Sequence, residues 1–526
     1  MAIKPESLQY EHLPTSRYHG LGKELFTDIL RGHRKAASAR RPATNKHNNG
    51  SSAESARKTA RQIAPSDRQS CVCGRHSQGE TCAASGLVDL HLGPAPSLDT
   101  LRSLSPLLED ESHRQMFYMA AQQIFPIMSE VFFTSSDMMT SLAFQLNMME
   151  PIVLEVAISS LAEWSLRRQY SPALEETKCK SAVRLIRLVR DSLQQPGPVS
   201  DATLIGMMAL SWRPADCCPH AGPLRGLFRD IGIDHLGAHE NLAHYEFAEE
   251  SWAAFLYCLN MRGGIETVDL HGASESFTLA DNMNAAVTGK APTVGLCKPF
   301  QHIVQTWLPQ IRPPLAEVAA FPVDNDFKKL LLDLRICCQE IEEYTVRVKK
   351  LGDTGSTGMV VPYQNIVQHR LMSLPRDDSD SDSGSGSRGS ANDICQAAIL
   401  VFTLGVTFPL PRAEPLANAA AGLGHAMRNS NNIPNRRFLF WAAMLGAIAT
   451  GLAEASAASE GNENAKQSYM FFLDQTRRLR GELGLTTWDA AKALLKGFVW
   501  LDGACDEGAW KVWTQSLRPS QAAAGK

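Results

Sequence analysis

The stretch DFKKLLLDLRICCQEIEEYTVRVKKL, Asp326 to Leu351, decides the fold class. Its apolar residues Phe327, Leu330, Leu334, Cys337, Ile341, Tyr344, Val348 and Leu351 recur every three or four positions, the spacing of one face of an α-helix. Its acids and lysines fall mainly on the opposite side. One face is therefore suited to a core and the other to water.

The same pattern extends in both directions. EPIVLEVAISSLAEWSLRRQ is helical by periodicity, and in LEETKCKSAVRLIRLVRDSLQQ the residues Val183, Ile186, Val189 and Leu193 form a stripe. Pro196-Gly197-Pro198 ends that helix, and Ser200 or Asp201 can N-cap ATLIGMMALSW by accepting hydrogen bonds from the free amides of its first turn. Two helices joined by a short turn make an antiparallel hairpin. Alternation of the kind strands need is almost absent, so the expected fold is all-α, built of stacked antiparallel helix hairpins. No repeat of fixed period identifies a solenoid.

The chain has 526 residues, 44% apolar and 20% charged, with a net charge of −3. That is enough to bury a large core, and it gives no global attraction to DNA or membrane. Its twelve cysteines are irregularly spaced and too dilute for a secreted disulfide framework, which favours a reducing compartment. The opening MAIKPESLQYEH has no basic n-region followed by an apolar h-region, so no signal peptide is expected. ICQAAILVFTLGVTFPLP from Ile394 and FLFWAAMLGAIATGLAEAS from Phe438 reach only the minimum length of a bilayer span. They are expected to be core helices, and a membrane hairpin is the alternative.

Residues 1–100 are rich in small, polar and basic types and are expected to form a disordered leader. Within it RGHRKAASARRPATNK carries Arg34, Lys35, Arg40 and Arg41 with no acid, a candidate nuclear import signal or phosphate-contacting arm beside the alternative of a solvated tail. A helical domain is expected over 101–515 and a disordered tail over 516–526. Inside the domain, 352–391 is read as a flexible loop around RDDSDSDSGSGSRGS.

Two clusters carry metal-ligating residue types. DHLGAHENLAHYE brings together His235, His239 and His244, but HENLAH misses the H-E-x-x-H spacing by one residue. Cys71, Cys73, His76 and Cys82 start from a C-x-C pair, tighter than structural zinc sites use. No bound metal or cofactor is expected. There is no G-x-S-x-G elbow, phosphate-binding loop or dinucleotide glycine pattern. The alternative enzyme reading is a zinc-assisted or thiol-dependent hydrolase using the histidine cluster or Cys505.

The C-terminal stretch LLKGFVWLDGACDEGAW, wound as one helix from Trp488, puts Asp502 on an apolar arc one turn before Cys505. Its acidic neighbours argue against a reactive thiol. Asp502 is instead expected to be a structural polar anchor, paired with an arginine from RRFLF or RRLR or with backbone amides.

Three stretches in order resemble the fungal-specific transcription factor domain, the regulatory region of fungal zinc-cluster regulators. They are PALEETKCKSAVRLIRLVRDSLQQPGPVSDATLIGMMALS, then EESWAAFLYCLNMRGGIETV with its Arg262-Gly263-Gly264 stop, then RRLRGELGLTTWDAAKALLKGFVWLDGACD. The third is the most specific, through L-G-L, a tryptophan and W-L-D-x-x-C-D. The resemblance covers roughly residues 100 to 515. It implies an all-helical regulatory domain in the nucleus, with transcription-regulatory proteins as partners, a candidate small-molecule effector and no membrane. The six-cysteine DNA reader of such regulators is missing here, so DNA is reached only indirectly or non-specifically.

Overall fold

The structure, a computed structural model, describes residues 150–518 apart from 169–170, 215–225, 234–244, 271, 315–317, 319–320, 352–358, 376–390, 411, 430–434 and 452–462. The leader, residues 519–526 of the tail and the histidine cluster lie outside the described residues, whereas Ser516, expected in the tail, ends the last helix and is buried.

The described residues form an all-α body. α1 (Pro151–Arg168) and α2 (Pro172–Gln194) fold back on each other across a short connection, and α3 (Asp201–Ser211) packs on both. Ser200 caps α3 as its sequence predicts, accepting from the Thr203 amide at 3.1 Å. Asp201 reaches outside the helix instead, where its carboxylate pairs with Arg262 and accepts the amides of Asp269 and Leu270 at 3.0 and 2.8 Å. Two three-residue strands, β1 (Trp212–Pro214) and β2 (Tyr245–Phe247), pair antiparallel, with Trp212 opposite Phe247. α4 (Glu249–Arg262) then ends at Gly263, φ +116°, where the R-G-G stop was expected.

The buried line of α2 is Thr177, Ser181, Leu185 and Val189, while Val183 and Ile186 sit half-buried beside it. The face is turned from the expected stripe because tertiary partners override periodicity. Ser181 donates to the Glu155 carbonyl at 2.9 Å and to its carboxylate, and α3 approaches Leu185 and Val189 through Gly206, where a Cβ would meet Val189 at 2.6 Å.

α5 (Ala273–Thr288) is followed by a loop running back along it. Next come α6 (Lys298–His302), a π-helical turn Ile303–Trp307 and α7 (Leu308–Ile311). α8 (Asn325–Leu351) buries Phe327, Leu330, Leu334, Cys337, Ile341 and Tyr344 as its spacing requires. α9 (Val360–Met372) packs against α8 and α5. It stands in the middle of 352–391, which corrects the loop expectation: the Asp/Ser/Gly-rich composition belongs to the flanking 352–358 and 376–390, both outside the described residues. Arg370 of α9 and Arg312 both hold the buried Asp333 of α8, Arg312 through two bonds of 2.7 and 3.0 Å. A carboxylate shut from water is stable only when paired in this way.

α10 (Ala391–Phe402) continues into a π-helical turn, Thr403–Thr407. α11 (Ala413–Asn429), α12 (Arg436–Thr450), α13 (Glu463–Glu482), α14 (Trp488–Lys496) and α15 (Asp502–Ser516) complete the body. α12 is the hub, touching α10, α11, α13, α14 and α15, and every residue from Phe438 to Ile448 is buried. Both stretches with marginal membrane hydropathy are therefore core helices. Among the described residues no helix is long and apolar enough to cross a membrane.

Candidate functional site

The polar interior lies between α5 and α9. α5 is buried almost all round, yet it carries Ser274, Glu275, Thr278, Asp281 and Asn282 inward. Its C-terminal Gly289, φ +70°, turns the chain so that 290–297 runs back along the helix. Asp281 fastens that loop, accepting the Thr293 and Val294 amides at 2.7 Å each and the Thr293 hydroxyl at 2.8 Å. Asn282 donates to the Asn365 carbonyl and side-chain oxygen at 3.0 and 3.1 Å. His369, one turn on, faces the Val294 carbonyl at 3.1 Å, so its Nε2 carries the proton and donates. Burial lowers its pKa, with the Val294 bond opposing, which keeps the ring neutral at pH 7.

Two further side chains of α9 are buried without a hydrogen-bond partner. Gln364 and Gln368 lie one turn apart on α9, 1% and 0% exposed, and neither end of either side-chain amide has a hydrogen-bond partner. The Asn282 Oδ1 is also unpaired as an acceptor. Among the described residues these two glutamines alone leave both ends of a buried amide unpaired. Each such buried group costs about 1–3 kcal/mol. Native interiors rarely carry that cost without a water or ligand to meet the group.

Around the seam burial shifts the titratable groups toward their uncharged forms. Glu275 is 4% exposed and accepts from Ser274 Oγ at 2.8 Å; burial raises its carboxyl, with the Ser274 bond opposing. Burial, and then the Glu275 carboxyl, push the Cys297 thiol up to about 12. A thiol in that condition is not a nucleophile at neutral pH.

The C-terminal corner has a different character. Trp488 to Cys505 is not one helix: α14 stops at Lys496, and Gly497 to Leu501 turn a corner before α15 begins at Asp502. Tertiary contacts hold the corner. Arg335 donates to the Gly497 and Phe498 carbonyls at 2.8 and 3.3 Å, and the Trp441 indole donates to the Val499 carbonyl at 2.9 Å. Phe498 stacks on Trp441 and meets Phe321 edge-on.

Asp502 therefore stands in the first turn of α15, where a carboxylate is favoured by the helix dipole, and its side chain is about a third exposed. Its partners are lysines of α14, Lys496 at 2.7 Å and Lys492 at 3.1 Å, which corrects the expected arginine. Burial raises its carboxyl, but the bonds from Lys496 and Lys492 outweigh this and leave it below the ordinary value. Asp506 joins the network, binding Lys492 and accepting from the Trp500 indole at 2.9 Å. Cys505 is wholly buried, and burial pushes its thiol far up. W-L-D-x-x-C-D is thus a structural corner. It offers a thiol-dependent hydrolase no reactive group.

Arg34, Lys35, Arg40, Arg41, Cys71, Cys73, His76, Cys82, His235, His239 and His244 lie outside the described residues. Among the described residues no group of three or more His, Cys, Asp or Glu is placed to hold a metal ion. Gln364 and Gln368 escape a reading of the sequence because their segment has the neighbourhood of a loop. The signal that could have found them is polar residues at i and i+4 inside the apolar run VVPYQNIVQHRLM. Set against protein-family models, curated proteins and solved structures, the chain matches none at a significant level.

Proposed function

We propose that this chain is a nuclear, fungal-type transcription regulator that works by binding: its helical body meets partner regulatory proteins and takes a small effector inside, and partners bring it to DNA. Two observations support the reading. The transcriptional half rests on the three-stretch resemblance, of which W-L-D-x-x-C-D is the most specific part. The effector half rests on the paired, unpartnered amides of Gln364 and Gln368. The basic cluster of Arg34, Lys35, Arg40 and Arg41 supplies the import signal in this reading, and any contact it makes with phosphates carries no sequence information.

The test is to tether the full chain to a reporter promoter through a heterologous DNA-binding domain. A change in reporter output of either sign is expected. Output equal to that of the tether alone would overturn the reading.

A further inference from the structure

We infer that the surface made by α13 with the adjoining end of α11 and start of α12 binds an acidic segment of a partner protein, its carboxylates on arginines and an apolar side chain beside them. This deepens the partner half of the proposed function and rests on it. α13 packs against both α11 and α12. Phe471 and Arg478 stand two turns apart on one face of α13, about 10 Å along its axis. Arg428, from the last turn of α11, lies over the Phe471 ring, 4.2 Å from its centroid. Arg436, from the first turn of α12, reaches Glu482 at 3.1 Å, and Arg478 binds the same carboxylate. Arg477 is joined to Asp474. Arg437 is exposed, and among the described residues no acid pairs with it. The arginines thus outnumber the carboxylates among them, while the whole chain carries a net charge of −3.

Two features distinguish this face from a merely solvated one. The helix dipole disfavours cations in a first turn, and α12 has no acid there, so the fold gains nothing from Arg436 and Arg437 in that place. The charge also lies beside apolar surface, Met470 at 39% exposure and the half-buried Phe471. Arginine with methionine and aromatic side chains is a composition that protein interfaces favour. Asp474 and Glu482 decide the occupant. Standing among the arginines, they repel an evenly charged phosphate backbone, whereas a peptide can space its acids around them. A peptide also supplies an apolar side chain to cover Met470 and Phe471. Complementary charge of this kind steers encounter and fixes register.

The experiment uses the purified full chain and a fluorescein-labelled peptide of repeated Glu-Glu-Leu, read by anisotropy, beside a Glu-Glu-Gly peptide and duplex DNA. The basic leader also attracts acids, so the readout is the change from parent to variant within the full chain. Arg437→Gln combined with Arg478→Gln should weaken Glu-Glu-Leu binding about tenfold or more at low salt. Rising salt should narrow the gap between parent and variant, since exposed charges are screened. Lys180→Gln, which removes an exposed charge from α2, should leave binding unchanged. Glu-Glu-Gly should bind the parent more weakly than Glu-Glu-Leu. Arg437→Gln alone should melt at or above the parent temperature, and Arg428→Gln with Arg437→Gln repeats the test if the first pair does not fold.

Equal affinity of parent and both double variants for Glu-Glu-Leu would overturn the proposal, as would an equal loss in Lys180→Gln or equal binding of Glu-Glu-Gly. A larger loss for duplex DNA than for the peptide would overturn it in favour of phosphate contact. All readouts are on purified protein, so a silent reporter beside the expected losses would reject the transcriptional reading and keep the surface. An active reporter beside unchanged affinities would do the reverse.

Discussion

Asp502 and Cys505 sit three residues apart, yet their surroundings assign them opposite sensitivities. Asp502 is partly exposed and paired with two lysines, an arrangement whose worth water and salt reduce, so Asp502→Asn is expected to cost less than about 1 kcal/mol in urea denaturation at pH 7. Its folded pKa is depressed, so the contribution is complete above about pH 4, the unfolded value, and is lost as pH falls through the folded one. The difference between parent and Asp502→Asn should therefore vanish in strong acid. Cys505 is wholly buried, and its thiol should label with iodoacetamide only as fast as the body opens. Fast labelling of the native chain, or a loss above about 3 kcal/mol for Asp502→Asn, would contradict this picture. The sequence showed that Asp502 needed a partner. It could not show which one, because the choice of lysine over arginine follows from the corner at Gly497–Leu501.

Elements were legible where the pattern is local. The α8 face, the Ser200 cap and the Gly263 stop all follow from spacing and cap chemistry within a few residues. They were not legible where a distant group decides. The α14–α15 corner depends on Arg335 and Trp441, and α9 was hidden by the composition on either side of it. Close helix approach is the same kind of long-range fact, and two glycines test it. Gly446 on α12 faces Phe472 of α13, where a Cβ would lie 2.3 Å from a fully buried ring. Gly446→Ala should destabilise the body by about 1–3 kcal/mol despite its better helix propensity. Gly422 on α11 is exposed and a Cβ there meets nothing within 4 Å, so Gly422→Ala should stabilise by up to about 1 kcal/mol. Chemical denaturation of the two variants side by side decides it: effects of the same sign would show that the α12–α13 contact is looser than described.

At the scale of the whole molecule, α12 organises the described residues into one core, and the apolar stretches that raised the membrane alternative are its interior. Hydropathy cannot separate those cases, whereas length and flanking residues can, which is why the all-α body was legible. The candidate site was not. A missing hydrogen bond is a property of the packed interior, and glutamines in a sequence give no sign of it. The central claim is that this body is brought to chromatin by partners and does not read DNA itself. Genome-wide occupancy of the tagged full chain, compared with a form lacking residues 1–100 and carrying a separate import signal, tests it most directly. Occupancy is expected to persist at the same loci without the leader, and its complete loss would contradict the account.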